Sequence, residues 1–135
     1  MTSISTRREA RERALLLSYE REVRGIGVEE LLASLPAPPD AYATQLVEGM
    51  EAHMSEIDAL LGRYLERWSV DRMPVVDRTL LRLGTFELGW ELDVPVAVVV
   101  DEAVELAKQY STDDSPRFVN GLLSRVAKEL RPESD

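Results

Sequence analysis

The chain of 135 residues has no cysteine and a single histidine, His53. Without cysteine there is no disulfide framework, no iron–sulfur site and no thiol nucleophile. One histidine excludes multi-histidine metal centres and any relay of several histidines. Long hydrophobic runs are also missing: the apolar, uncharged 94–100 stretch is far too short to span a bilayer. The opening Met1-Thr2-Ser3-Ile4-Ser5-Thr6-Arg7-Arg8 has no apolar h-region, so no secretory leader is expected and a cytoplasmic location is. Positive charge is in deficit, with 16 Lys+Arg against 25 Asp+Glu and a net charge of −9. Taken at face value, that deficit argues against a nucleic-acid partner.

What is present is a globular balance, 44% apolar and 30% charged. The length predicts one domain over residues 1–135, with 1–5 and 132–135 as tails. The negative charge is uneven. Residues 1–24 hold six Arg and four Glu, while the rest of the chain holds ten basic and 21 acidic residues. A locally basic segment on an acidic body follows. All six of its cations are Arg, the residue suited to bidentate phosphate recognition and to stacking on bases.

Periodicity predicts seven helices. Thr6, with Glu9 three residues on, reads as a capping box. Ala10, Ala14, Leu15, Leu16, Leu17, Tyr19 and Val23 carry a helix from there to Arg24, and Gly25 and Gly27 stop it. A short helix fits Val28 to Leu35, and Pro36-Ala37-Pro38-Pro39 cannot be helix interior. Asp40 caps a third helix and Ser55 a fourth, the latter running through Ile57, Leu60, Leu61, Tyr64, Leu65 and Trp68. Pro74 opens a fifth, apolar around most of its circumference and therefore expected at the centre of the core. Val96, Val98, Val99 and Val100 have strand character. They nonetheless run into Ala103, Val104, Leu106 and Ala107 at helical spacing, so a sixth helix is preferred. Ser115-Pro116 begins the last, which ends before Pro132. Gly121 inside that helix suggests a close helix approach.

Enzyme chemistry finds little support. Glu48, Glu51 and His53 lack the Glu-x-x-His spacing of a di-iron bundle. There is no Walker A loop, no Gly-x-Gly-x-x-Gly and no nucleophile elbow. Neither a cofactor nor a metal site is expected. On the first helix, Arg7, Arg11 and Arg21 fall on one stripe with the small residues Ala14 and Ser18 between them. Leu15, Leu16, Tyr19 and Val23 would then face the core. Such a stripe predicts free guanidinium groups that reach a phosphate backbone, with Tyr19 and Tyr64 as candidate stacking residues. Phe118, a turn after Asp114 and Ser115, is a candidate protein-contact anchor.

Four blocks carry a resemblance. Val76-Asp77-Arg78-Thr79-Leu80-Leu81-Arg82-Leu83-Gly84-Thr85-Phe86-Glu87-Leu88 resembles the central-helix motif of the NusB transcription antitermination family. Val94-Pro95 followed by Asp101-Glu102-Ala103-Val104-Glu105-Leu106-Ala107-Lys108 is similar to its next block, and Ser115-Pro116-Arg117-Phe118-Val119-Asn120-Gly121-Leu122-Leu123 to its last. Arg7-Arg8-Glu9-Ala10-Arg11-Glu12-Arg13-Ala14 is similar to the family's arginine-rich start. The blocks run in order from about residue 6 to 131. The family's usual Asn is replaced by Asp101, and its frequent Asp by Ser124. The resemblance implies an all-α fold of two packed sub-bundles and no enzymatic activity. It implies binding of boxA RNA in ribosomal RNA leaders together with ribosomal protein NusE, within an antitermination complex on RNA polymerase. By position, Arg7, Arg8 and Arg11 would contact RNA, with Tyr19 and Tyr64 at or near that surface. Asp77, Asp114 and Phe118 would sit at the NusE face. Some members form homodimers that cover the RNA surface. The alternative reading is therefore a helical homodimeric interaction module with weak or masked RNA binding.

Overall fold

The computed structural model describes residues 4–65 and 70–133, so Trp68 lies outside the described residues. Seven α-helices and one 3-10 turn, Val70–Arg72, account for its secondary structure, with no strand among the described residues. They are α1 (Ile4–Arg24), α2 (Val28–Ala33), α3 (Ala41–Ala52), α4 (Met54–Gly62), α5 (Val75–Trp90), α6 (Val96–Tyr110) and α7 (Ser115–Leu130). No helix among the described residues is long and apolar enough to cross a membrane.

Local chemistry explains most boundaries. Gly25 takes φ +68°, a left-handed turn that ends α1 without steric cost. The Asp40 carboxylate accepts the Tyr42 backbone N–H at 2.7 Å and starts α3. Pro74 and Pro95 stand just before α5 and α6 with ψ near 142° and 146°, so each ring occupies the extended cap position. The valine run after Pro95 is helical, as the spacing of the alanines and Leu106 requires. Two expected caps are displaced. α1 begins at Ile4, upstream of Thr6, and α4 begins at Met54 with His53 rather than Ser55 before it.

The fifth helix is the axle of the fold. Every residue from Asp77 to Leu88 is buried. α6 and α7 pack on one side of it, and α1, α3 and α4 on the other, giving two sub-bundles that share α5. Close approach is set by two glycines. A methyl group at Gly49 would overlap the Phe86 ring, and one at Gly84 would come within 2.8 Å of Leu123. Gly121, by contrast, has open space around it, so the expected close approach lies at Gly84 on the partner helix instead.

An axle buried on all sides must satisfy its own charges. Arg82 donates to the Asp58 carboxylate at 2.8 and 2.7 Å. Arg78 pairs with Glu22 and donates to the Met73 carbonyl at 3.0 Å. Burial lowers the Arg78 pKa, and the neighbouring Arg82 charge adds to that. Arg131, just past α7, donates to the carbonyls of Glu87, Leu88, Glu91 and Val94. It thereby fastens the end of α5 and the α5–α6 loop to the end of the last helix, where a cation also suits the α5 dipole.

Candidate functional site

The arginine face is built where α1 crosses α5 and α6. At its centre is Glu87, 3% exposed. Its carboxylate accepts Arg11 Nε and Nη2 at 3.0 Å each and the Tyr42 hydroxyl at 2.5 Å. Burial opposes the Arg11 charge, but the hydrogen bond and charge of Glu87 outweigh it and raise the Arg11 pKa. The Tyr42 pKa is raised as well, by burial first and by the Glu87 charge second. The Arg7 guanidinium carbon lies 3.7 Å from the Tyr42 ring centroid, a cation–π contact. One helical turn from Arg11, Arg8 donates two-pronged to Glu102 on α6, with Nη2 at 2.8 Å and Nε at 3.1 Å. Glu102 also stands 3.9 Å from Arg11. The chain of contacts therefore runs Arg7–Tyr42–Glu87–Arg11–Glu102–Arg8.

This geometry corrects the free stripe expected from the sequence. Arg11 is 7% exposed, and Ala14 and Ser18 are buried beside it. Arg21 is half-buried and donates to the Ile26 carbonyl at 3.3 Å. The stripe thus faces the interior, and its guanidinium groups are held by the protein itself. The opposite face reverses in the same way. Leu15 and Leu17 are core, whereas Leu16, Tyr19 and Val23 are 42%, 45% and 65% exposed. A helix whose buried seam carries arginines rotates its remaining apolar residues outward.

Arg7, Arg8 and Arg11 are brought together, but the two tyrosines do not join them. Tyr19 is about 18 Å further along the same helix from Arg7, at 1.5 Å per residue. Tyr64 turns to α7, where its hydroxyl meets Glu129 and its ring lies 4.9 Å from the Arg125 guanidinium carbon. Tyr42, Glu87 and Glu102 were not singled out as site residues from the sequence. The Asp40 cap was a usable signal, because it places Tyr42 on the first turn of α3.

The second constellation, Asp114 and Phe118 from their spacing and Asp77 from the resemblance, is brought together in space. Asp77, Asp114 and Phe118 line one pocket of about 240 Å³ with Met73, Pro74 and Thr112. Asp77 is buried and accepts Ser111 Oγ at 2.5 Å and Ser115 Oγ at 2.9 Å. Asp114 is exposed at the mouth, and Phe118 is half-buried. The pocket thus combines a carboxylate held by two hydroxyls, an exposed acid and an apolar ring. Among the described residues, no group of three His, Asp or Glu could hold a metal ion. His53 instead stacks on Trp90, with ring centroids 4.3 Å apart.

Fold and sites together define an all-helical binding protein, with an arginine face on one flank and an acid-and-aromatic pocket elsewhere. The chain belongs to the NusB family, whose sequence profile matches residues 8–128. It is 49% identical over 138 residues to a transcription antitermination protein NusB of Streptomyces avermitilis, covering 96% of this chain and 95% of that one. It superposes on Thermotoga maritima NusB with a TM-score of 0.87 at 39% identity, covering 98% and 96% of the two chains. A crystal structure of antitermination factors NusB and NusE with double-stranded RNA matches with a TM-score of 0.82 at 33% identity, covering 94% and 99%.

Proposed function

We propose that the chain is a transcription antitermination factor that holds boxA RNA of ribosomal RNA leaders together with NusE, within the antitermination complex on RNA polymerase. It works by binding, in the cytoplasm, and not by catalysis. Arg7 and Arg8 are the RNA contacts. Arg11 sits behind them and contributes charge and alignment from inside the protein. Asp77, Asp114 and Phe118 form the NusE face, and Tyr19 and Tyr64 flank the RNA path. The carrying observation is that Arg7 and Arg8 remain at the surface on an otherwise acidic protein, each aimed by a neighbour, while the Phe118 pocket uses none of the same residues. NusE and RNA therefore do not compete for side chains, and the affinity for RNA should rise when NusE joins because the pair offers a larger combined surface.

The test is a titration of boxA RNA and a scrambled RNA against the protein with NusE. Tighter binding of boxA, weakening with salt at a log–log slope of about −0.7 per phosphate contacted, is the expected result. Equal affinity for the two RNAs overturns the sequence-specific reading. A second reading is favoured by the exposed stripe of Leu16, Tyr19 and Val23 at helical spacing. Two copies meeting along α1 would bury that stripe and give a homodimer. Light scattering with and without NusE separates the two readings, since a dimer that never yields to NusE supports the second.

A further inference from the structure

A pocket of about 410 Å³ lies between α1, the α5–α6 loop and the start of α6. Arg7 and Arg8 line it from α1, Asp93 and Pro95 from the loop, and Val98 and Glu102 from α6. Val98 is 39% exposed and supplies an apolar wall together with Pro95. The feature needing explanation is Glu102. A carboxylate beside the RNA arginines repels phosphate, yet this one is aimed inward, with its side chain 13% exposed, and grips Arg8 by two prongs.

Resting on the RNA reading above, we propose that this pocket takes one unstacked RNA base and that Glu102 reads its edge. A nucleotide can open the Arg8–Glu102 pair without leaving either half unsatisfied. Its phosphate takes the guanidinium of Arg8, and N–H donors on its base take the carboxylate of Glu102. Guanine fits best, because N1–H and the 2-amino group are adjacent donors that match two carboxylate oxygens. Uracil presents one N–H flanked by two carbonyls, which face a carboxylate unfavourably. Cytosine and adenine each present an amine beside a bare ring nitrogen. Pro95 and Val98 cover the base face, and Arg7, held on Tyr42, borders it. Glu102 is thus both a brake on indiscriminate phosphate binding and the group that selects the base.

The probes are three 12-residue RNAs: all-uridine, the same with one central guanosine, and the same with inosine there, which lacks the 2-amino group. Binding is read by fluorescence anisotropy. The native protein should prefer the guanosine strand over all-uridine by about tenfold, with inosine between, the size of one bidentate pair. Glu102→Gln should bind all-uridine several-fold more tightly and lose the preference. Val98→Ser, at an exposed position, should weaken only the guanosine strand. Glu105→Gln, which breaks an exposed pair with Lys108 further along α6, should leave the preference among the three strands unchanged. Equal binding of the three strands by the native protein, or a preference that survives Glu102→Gln, overturns the proposal while leaving the RNA reading intact. Binding unaffected by Arg8→Ala, or no binding of any strand or of boxA RNA with NusE present, overturns the RNA reading itself.

Discussion

Arg8 and Arg11 are three residues apart on one helix, and each is gripped two-pronged by a single carboxylate. The chemistry is the same and the surroundings are opposite. In the Arg11–Glu87 pair the side chains are 9% and 4% exposed, whereas the Arg8 side chain is 67% exposed. A buried pair cannot lose one partner without stranding a charge in the interior. Arg8 can leave its pair, since water or a ligand reaches its exposed guanidinium and the inward Glu102 still has Arg11 3.9 Å away. The difference teaches how one short arginine cluster divides its labour: the inner pair holds α1 to α5, and the outer pair is available for exchange.

The largest effect that would break this contrast is Glu87→Ala. It strands Arg11 and frees the Tyr42 hydroxyl, and should cost about 3–5 kcal/mol in urea unfolding. A loss no greater than that of a surface substitution would place the pair among the exposed ones. Phe118→Ala comes next. It should weaken NusE binding by about 2 kcal/mol or more, as a central aromatic anchor does, while boxA binding by the isolated chain stays unchanged. Arg8→Ala should leave the urea midpoint where it was and lower RNA affinity several-fold, with the salt slope falling by about 0.7. A matching drop in stability would show that the outer pair is structural after all. The smallest effect is at Tyr42. Its pKa is raised in the folded state, so the native protein keeps a proton that the unfolded chain releases above pH 10.0, the ordinary tyrosine value. Stability should therefore fall as pH rises past that value. Tyr42→Phe should cost about 1 kcal/mol near neutrality and flatten part of the alkaline decline, as followed by circular dichroism.

The helices were legible because most of them keep a strict period and carry a cap or a proline at the start. Asp40, Pro74, Pro95 and Pro116 mark four of them, and the central position of α5 followed from its all-round apolar pattern. The facing of α1 was not legible from spacing alone. Periodicity gives the stripes of a helix but not which stripe is buried, and arginines are ordinarily assigned to water. The decisive information was Glu87, 76 residues away, whose burial makes an inward arginine the stable choice. The Phe118 pocket was easier to read, because Asp114 and Phe118 are local to one helix start. Only Asp77 had to arrive from elsewhere, and the motif blocks supplied it.

Arg131 gives the loop of Asp93 and Pro95 a property it could not have from its own five residues. A short connector between two helices ordinarily samples many conformations, and a ligand that needs one of them must supply the ordering free energy at the moment it binds. Here four carbonyls at and around the loop are already fixed by one guanidinium from the far end of the chain. The entropy of that wall is lost during folding, so a ligand docking there meets a surface that is already ordered.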